Sequence, residues 1–315
     1  MLKYFIGIDG GGTKSRLLAI DQNYDMIGNA LGSSTNLASN SKEVVYHHLK
    51  SMIDDFLLNS SMEIEDCLGI CIGSAGIDSK NSGLAMEQII KDIGFTCQII
   101  AVNDSLLALA AGAKGGPGVV VISGTGSIAY GMDSNKNTVR CGGWGHILDD
   151  GGSGYWIGKE ALKYALRSSD GRGKKTVLEE IFKEVFKVTY LPDCIDYIYS
   201  GFNKAKIAGY AVYVKEGAAK KDSVCMEIID RGAKELFLLA DTLIKSINET
   251  APEVIVSGGT ILNIESLFSA FRGYMEKQYP AINVMKLDRE PVLGAIHLIV
   301  SQAAGKGVDI KNENY

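Results

Sequence analysis

Residues Gly7–Ser15 read GIDGGGTKS, and this stretch decides how the first part of the chain folds. It overlaps a short apolar run, Lys3–Asp9, whose length and composition are typical of a buried strand. After the glycines, Ser15–Asp21 again has the pattern of a strand, and Met26–Leu31 has it once more beyond a polar turn. The sequence therefore predicts strand, glycine-rich loop, strand, turn and strand at the start of the chain.

The same order of elements occurs a second time. Val119–Ser123 predicts a strand, Gly124–Ser127 (GTGS) a loop and Ile128–Asp133 a second strand. A polar turn and a short strand, Val139–Cys141, complete this copy. We interpret the two segments as an internal structural repeat, with one copy in each half of the chain. The glycine-rich segment Gly112–Gly118 is the best candidate for the boundary between the halves.

Composition narrows the classes of function. The chain has 315 residues, with 32 Lys and Arg against 37 Asp and Glu, and a formal net charge of −5. This balance argues against nucleic acid or an acidic membrane as the main partner, and no apolar run reaches the roughly 18 residues of a membrane span. The first residues turn acidic too early for a signal peptide, and the six cysteines include no CxxC pair. We expect a cytoplasmic protein with reduced thiols that acts on small molecules.

Both glycine-rich loops come close to known phosphate-binding motifs without matching their context. In the first loop, Thr13 separates Gly12 from Lys14, so the P-loop pattern fails, and a strand follows where a P-loop opens a helix. Gly124–Ala129 fits the G-x-G-x-x-A dinucleotide pattern, but a strand follows here too. The missing helices disfavour an oxidoreductase that uses a nicotinamide cofactor.

Two loops of Gly, Thr and Ser at the same place in a repeat favour phosphate binding. Successive N–H groups in such turns form anion-binding nests, although each loop alone could be a plain hairpin turn. Asp9, just before the glycines, could hold Mg²⁺ through water or form a local Asx turn. Asp104, between a predicted strand and a predicted helix, is either a base in a cleft or a helix N-cap. From local pattern alone, the cap is favoured.

The segment Cys141–Gly158, CGGWGHILDDGGSGYWIG, holds seven glycines and both tryptophans. A tryptophan among glycines suits stacking on a sugar ring, and the carboxylates could accept hydroxyl protons; a folded loop with buried aromatics is the alternative. We interpret His146 as a packing residue rather than a base. No cluster in the sequence has the spacing of metal ligands.

These motifs resemble the N-acetylglucosamine kinases and the related BadF/BadG/BcrA/BcrD-type ATPases, in the superfamily of sugar kinases, heat-shock chaperones and actin. The stretches that carry the resemblance are GIDGGGTKS at 7–15, GSSTN at 32–36, VNDSLLALAAG at 102–112, VISGTGSIA at 121–129 and the segment 141–158. The resemblance implies an α/β fold of two ribonuclease-H-like (actin-like ATPase) lobes with a cleft between them. The N-terminal lobe would be 1–113, joined by the C-terminal helix at about 299–315, and the larger C-terminal lobe would be 114–298.

The resemblance also implies which residues bind each ligand. Asp9 would organise Mg²⁺, and Asp104 would be the general base on the 6-hydroxyl of the sugar, which overturns the cap interpretation although one carboxylate can serve both roles. The residues implied at ATP are Gly11, Gly12, Thr13, Gly124, Thr125, Gly126, Gly258, Gly259 and, less firmly, Gly217. The residues implied at the sugar are Asn36, Asp104, Ser127, Gly143, Trp144 and Asp150.

The implied activity is transfer of the ATP γ-phosphate to the 6-hydroxyl of N-acetylglucosamine, N-acetylmuramic acid or both. After Asn36 the chain continues Leu-Ala-Ser-Asn, without the aromatic or His residues of some relatives, which would leave room for a lactyl ether at C3. The residues Asp149-Asp150-Gly151 stand where animal enzymes have Gly-Asp-Glu, so the sugar site would differ in detail.

Three alternatives stay open at this point: a glucosamine kinase, a BadF/BadG-type ATPase and a nucleotide-gated sugar sensor. The cysteine motif of the iron–sulfur branch of the family is absent from the sequence. Because relatives are often dimers, a homodimer is compatible with the helical second half.

Overall fold

The computed structural model describes residues 2–77 and 79–305. The chain divides into two compact units, Met1–Gly116 with Leu287–Tyr315, and Pro117–Lys286. Each unit has its own five-stranded sheet and its own hydrophobic core.

The sheet of the first unit contains the predicted opening. Its strands are β1 (Tyr4–Gly10), β2 (Lys14–Asp21), β3 (Met26–Ser33), β4 (Cys67–Ser74) and β5 (Gln98–Val102). They lie in the order β3-β2-β1-β4-β5. The first three strands pair antiparallel, whereas β4 pairs parallel with both β1 and β5. The predicted strand–loop–strand–turn–strand order is therefore confirmed.

The sheet of the second unit repeats this arrangement. Its strands are β6 (Gly118–Ser123), β7 (Ser127–Met132), β8 (Thr138–Cys141), β9 (Glu253–Ser257) and β10 (Val284–Lys286). Their order is β10-β9-β6-β7-β8, with β6, β7 and β8 antiparallel and β9 parallel to both β6 and β10. Read from the other edge, this is the strand order of the first sheet, so the repeat expected from the sequence is confirmed at the level of topology.

Twelve α-helices lie within the described residues. They are α1 (Lys42–Ser60), α2 (Lys80–Ile93), α3 (Asp104–Gly112), α4 (Gly154–Ser169), α5 (Leu178–Phe186), α6 (Ile195–Tyr199), α7 (Lys204–Gly209), α8 (Ala211–Ala219), α9 (Ser223–Ile247), α10 (Gly259–Asn263), α11 (Glu265–Gln278) and α12 (Pro291–Ala304). The apolar spacing within Ser41–Asn59 predicts a helix with Ser41 as its cap, and the N–H of Val44 does donate to the side chain of Ser41 at the start of α1. The sequence pattern predicts a helix over Leu84–Ile93, but α2 begins a turn earlier, at Lys80, because Ser79 and Ser82 form a capping box.

Successive side chains of β1 point to opposite faces of the sheet, so the core of the first unit has two layers. Tyr4, Ile6 and Ile8 pack with the buried faces of α1 and α2, whereas Phe5 packs with α3 and α12 on the other face of the sheet. In the second unit, inward residues of β6, β7 and β9 form one core with helices that include the long α9.

Helix α12 packs on the first unit from its first turn. Gly7 on β1 lets it approach, since a Cβ there would lie 2.9 Å from the carbonyl oxygen of Val292. Gly294 lets it cross α3, since a Cβ would lie only 2.0 Å from the carbonyl oxygen of Leu107. Among the described residues, the first unit therefore includes 287–305. The sequence placed the return to the N-terminal lobe at about 299–315, and residues 306–315 of that range lie outside the described part of the chain. A helical pattern says which face is apolar but not which sheet covers it.

Candidate active site

The first glycine-rich loop is a tight turn between β1 and β2. The N–H of Gly11 donates to the carbonyl oxygen of Lys14 at 3.0 Å, and Gly12 and Thr13 are exposed at the tip. Beside the turn is a cavity of about 450 Å³, lined by Asp9, residues 11–16, Leu31 and residues 290–292. The three predicted phosphate-binding residues therefore line one cavity together with the predicted metal-binding carboxylate.

Three buried hydroxyls brace the chain beneath this turn. Thr35 Oγ1 lies 3.3 Å from Ser15 Oγ and 3.2 Å from Ser74 Oγ, which joins the ends of β2 and β4. A Cβ on Gly10 would lie 2.0 Å from Thr35 Oγ1, so only glycine fits there. Sequence reasoning quoted the GSSTN segment for Asn36 and missed Thr35; a threonine with no exposed surface was the signal that only the structure supplies.

Asp9 and Asp104 come from distant parts of the chain, and their carboxylates interact electrostatically. Burial and the negative charge of Asp104 raise the pKa of Asp9 from 3.8 to about 6. Asp104 is the first residue of α3, and the cap is Asn103, whose side chain accepts from the N–H of Ser105 at 3.0 Å. The cap interpretation of Asp104 is therefore wrong by one residue. Leu107, packed against Gly73 of β4, anchors the helix that carries Asp104.

An ion pair stands at the rim of the same cavity. Arg16 on β2 pairs with Glu290, which precedes the first turn of α12. The positive charge of Arg16 lowers the pKa of Asp9 and the negative charge of Glu290 raises it, although burial and Asp104 outweigh Arg16. Sequence reasoning did not find this pair, because its members are separated by 274 positions.

Asn36, predicted at the sugar, lies beside the phosphate loop of the first unit. Its side-chain oxygen accepts from the N–H of Ala38 at 2.8 Å, which holds the amide in a local turn. The amide nitrogen would lie 3.9 Å from a Cβ on Gly12. The structure thus brings a predicted sugar-binding residue next to a predicted phosphate-binding residue.

The second glycine-rich loop is also a hairpin turn, between β6 and β7. The carbonyl oxygen of Gly124 accepts from Thr260 Oγ1 and from the N–H of Gly154, both at 2.8 Å. Ser127 Oγ donates to the carbonyl oxygen of Gly151 at 2.8 Å. These bonds hold the hairpin against the start of α4 and the start of α10. Thr125 is exposed at its tip.

The late glycines Gly258 and Gly259 lie against this hairpin. Gly258 has φ +97°, and a Cβ there would lie 2.5 Å from the carbonyl oxygen of Ser123. The N–H nitrogen of Gly259 would lie 4.0 Å from a Cβ on Gly124. Two of the groups predicted at the nucleotide are therefore neighbours within the second unit.

Gly217 is different. It is buried inside α8, where a Cβ would lie 2.3 Å from Cys225 Sγ and 3.2 Å from Val177 Cγ2. Its missing side chain allows α8 to pack closely on α9. Its place at the nucleotide stays a prediction.

The loop after β8 presents Trp144 to solvent. The indole is 63% exposed, and the guanidinium of Arg140 stacks over it, 4.4 Å from the ring centroid. Arg140 also donates to the carbonyl oxygens of Gly142 and Gly143, at 3.1 and 2.6 Å. Both glycines have positive φ, and a Cβ on Gly143 would lie 2.6 Å from Ile128. Arg140 thus fixes the conformation of this loop, a role that the sequence pattern did not predict.

Asp150 is held by a residue that sequence reasoning missed. Its carboxylate is 3% exposed and pairs with Lys204 Nζ at 3.0 Å. A Cβ on Gly126 would lie 2.9 Å from the same carboxylate oxygen, so Asp150 lies against the second hairpin. Lys204 begins α7, and no local pattern links it to Asp150. His146 packs against the rings of Tyr155 and Phe202, as expected.

No group of three or more His, Cys, Asp or Glu side chains suited to a metal ion occurs among residues 2–77 and 79–305. None of the helices in the described part of the chain is both long and apolar enough to span a membrane.

The fold is that of the actin-like ATPase-fold sugar kinases. A solved structure from Chromobacterium violaceum superposes with a TM-score of 0.70 over 94% of this chain and 99% of its own, at 21% identity. At that identity the likeness shows the fold alone.

Residues 6–298 match the BadF/BadG/BcrA/BcrD ATPase family, and the chain belongs to this family. It is 37% identical over 304 residues to the N-acetylmuramic acid/N-acetylglucosamine kinase of Clostridium acetobutylicum, covering 96% of this chain and 99% of that protein. It is 29% identical over 315 residues to the N-acetyl-D-glucosamine kinase of Dictyostelium discoideum, covering 94% of this chain and 98% of that protein. The resemblance inferred from the motifs is confirmed.

Proposed function

We propose that the protein is an ATP-dependent amino-sugar kinase that phosphorylates the 6-hydroxyl of N-acetylglucosamine, N-acetylmuramic acid or both. One observation carries the proposal. The first unit brings together the glycine-rich turn between β1 and β2, the carboxylate of Asp9 with its raised pKa, the amide of Asn36 and the carboxylate of Asp104. Family membership and two relatives named as kinases of these sugars support it.

The residues fit ATP and Mg²⁺. Asp9 and Asp104 repel each other in a partly buried site, and a divalent cation at Asp9 would relieve that repulsion. When bound there, Mg²⁺ would neutralise charge on the phosphates. N–H and hydroxyl groups of the two hairpins would hold the phosphates. The full set proposed at the nucleotide is Gly11, Gly12, Thr13, Gly124, Thr125, Gly126, Gly217, Gly258 and Gly259.

Asp104 would orient the 6-hydroxyl and accept its proton as the new bond to phosphorus forms. General-base catalysis of this kind contributes roughly 10²–10⁴-fold, and positioning contributes more. The sugar would be held by Asn36, Ser127, Gly143, Trp144 and Asp150. Trp144 offers an exposed aromatic face for the apolar face of a pyranose ring, and Asp150 offers a fixed carboxylate for its hydroxyls.

Acceptance of N-acetylmuramic acid is proposed from the turn after Asn36. Ala38 and Ser39 are exposed there and carry small side chains. Asn40 folds back, donating from its side-chain nitrogen to the carbonyl oxygen of Asn36 at 3.0 Å. This leaves small groups where a lactyl ether at C3 would need space.

The proposal is tested by ADP release with Mg-ATP and a sugar panel: N-acetylglucosamine, N-acetylmuramic acid, glucosamine, glucose and no sugar. Mass spectrometry of the product would place the phosphate on C6. Activity with both N-acetyl sugars supports the whole proposal. Activity with N-acetylglucosamine alone would reject the proposed space for a lactyl ether at C3. ADP release that ignores the sugar would make the protein an ATPase of the same family.

The variant Asp104→Asn tests the assigned base. Turnover should fall by about 10²-fold or more with little change in sugar affinity, because the amide can orient but not accept the proton. Asp55→Asn, an exposed charge on α1, is the matched control and should keep full turnover. Near-normal turnover of Asp104→Asn would remove Asp104 from the mechanism.

The proposal extends to a cytoplasmic homodimer that takes part in amino-sugar metabolism, with recovery of cell-wall sugars if N-acetylmuramic acid is a substrate. Sedimentation at several protein concentrations tests the dimer, and a single monomeric species at all of them would reject it.

A further inference from the structure

Two cysteines of the first unit lie side by side at the end of the sheet where β4 and β5 begin. Cys67 is the first residue of β4, and Cys97 directly precedes β5. The two strands are parallel neighbours whose pairing starts at Gly69 and Gln98. Their register therefore brings together two thiols that are 30 positions apart, and the two Sγ atoms are 3.7 Å from each other.

The two thiols have different surroundings. Cys67 is 6% exposed, and its thiol donates to the carbonyl oxygen of Gly69 at 3.6 Å. Cys97 is half-buried, in a bend outside the strand. Burial raises the pKa of Cys67, whereas the hydrogen bond between the two thiols lowers the pKa of Cys97. Cys97 is therefore the more accessible and the more readily ionised of the two.

The other four cysteines should react with an oxidant less readily than Cys97. Burial raises the pKa of each of them, and their positions are Cys71, Cys141, Cys194 and Cys225. Since the thiolate is the reactive form, oxidation should begin at Cys97.

We infer that Cys67 and Cys97 form a redox-active dithiol that hydrogen peroxide converts into an intramolecular disulfide. The Cys97 thiolate attacks the peroxide, the O–O bond breaks and, after protonation of the leaving oxygen, Cys97 is a sulfenic acid with one water released. Cys67 then attacks the Cys97 sulfur, the S–O bond breaks and a second water leaves. The sum is two thiols and one peroxide giving one disulfide and two waters.

The geometry asks for only a small movement. A disulfide needs sulfurs about 2.05 Å apart, so the sulfurs must approach by about 1.7 Å. Rotation of the Cys97 side chain, which lies outside the β-ladder, can supply that approach without breaking the pairing of β4 with β5. The bridge would close a loop that contains α2.

Two consequences follow from the position of the pair. Closing a loop of this length restricts the unfolded chain, so oxidation should raise the melting temperature of the first unit by about 5 °C or more. Asp104 lies beyond the opposite end of β5, so oxidation should leave the candidate active site unchanged. The inference does not rest on the proposed function.

The test treats the reduced protein with a few equivalents of hydrogen peroxide, removes the excess with catalase and measures the intact mass under native conditions. We expect a loss of about 2 Da, two fewer alkylatable thiols, a proteolytic peptide pair joined through Cys67 and Cys97, and full reversal by dithiothreitol. Survival of all six thiols, a different pairing, or a gain of about 32 Da from a sulfinic acid at Cys97 would overturn the inference.

Three variants separate the roles. Cys67→Ser should leave a sulfenic acid on Cys97 that dimedone traps, and Cys97→Ser should abolish the mass loss. Cys141→Ala, a half-buried thiol of the second unit, is the matched control and should form the disulfide like the parent. Disulfide formation that persists in Cys97→Ser would refute the assigned pair.

Discussion

Replacing Asp9 by Asn should stabilise the ligand-free first unit at neutral pH. Burial and Asp104 raise the pKa of Asp9 from 3.8 to about 6, so the folded unit holds this proton more tightly than the unfolded chain does. The ionised carboxylate therefore opposes folding, and the parent protein loses stability as the pH rises from about 4 through about 6. Asp9→Asn has no carboxylate to ionise, so its stability should not fall in this way.

The magnitude follows from the size of the shift. About two pKa units at 1.36 kcal/mol each give an upper bound of about 3 kcal/mol. Asp9 is only partly buried, and the Asn amide must also be desolvated, so we expect a gain of about 1–2 kcal/mol at pH 7 and almost none at pH 4.

The assay must follow the unit that contains Asp9. Trp144 and Trp156 both belong to the second unit, so their fluorescence would report the wrong transition. Hydrogen exchange of peptides from β1 and β4, measured with EDTA between pH 4 and pH 7.5 and corrected for intrinsic exchange rates, gives the free energy of opening directly.

The control for Asp9→Asn is Asp55→Asn, which removes an exposed charge from the same unit. Its exchange should follow the parent at every pH. If the free energy of opening has the same pH dependence in Asp9→Asn and in the parent, the pKa of Asp9 is not raised and the reasoning is refuted. Mg-ATP should stabilise the parent more than the variant, because the cation relieves a repulsion that only the parent has.

Three further changes test other contacts. Lys204→Ala leaves the buried carboxylate of Asp150 unpaired and should lower stability of the second unit by about 1–3 kcal/mol in urea titrations followed by tryptophan fluorescence, with recovery when Asp150→Asn is added. Arg140→Gln removes the stacking on Trp144 and two loop hydrogen bonds, so KM for the sugar should rise about tenfold at nearly constant kcat in steady-state kinetics. Gly294→Ala drives a Cβ into a backbone carbonyl of α3 and should cost about 1–3 kcal/mol or more in hydrogen exchange of the first unit.

Each change has a matched control. Lys206→Ala removes an exposed lysine from the same helix as Lys204 and should leave stability unchanged. Arg172→Gln removes an exposed arginine distant in sequence from the tryptophan loop and should leave KM unchanged. Gly83→Ala, in α2 of the first unit, adds a Cβ whose nearest atom would lie 3.5 Å away and should be neutral or stabilising. A Gly294→Ala variant as stable as Gly83→Ala would refute the close crossing of α3 and α12, and an unaltered Lys204→Ala would refute the role of that ion pair.

Local features of the molecule could be predicted because they depend on near neighbours. The two loop-connected strand sets and the cap at Ser41 follow from the spacing of apolar residues, glycine positions and short polar turns. The start of α2 was misplaced because a capping box, not apolar spacing, begins that helix. The cap at Asn103 was missed because Asn and Asp cap equally well, and only the backbone geometry separates adjacent candidates.

By itself, the sequence determined the strand and loop order, the internal repeat and, through its motifs, the family. Only the tertiary structure decided that the negative charge of Asp104 raises the pKa of Asp9, that Lys204 pairs with Asp150 and that Cys67 contacts Cys97. It also decided that α12 packs on the first sheet. Such contacts join residues tens to hundreds of positions apart. They depend on strand register and on which faces pack, and these are set by burial of the whole core rather than by any local pattern.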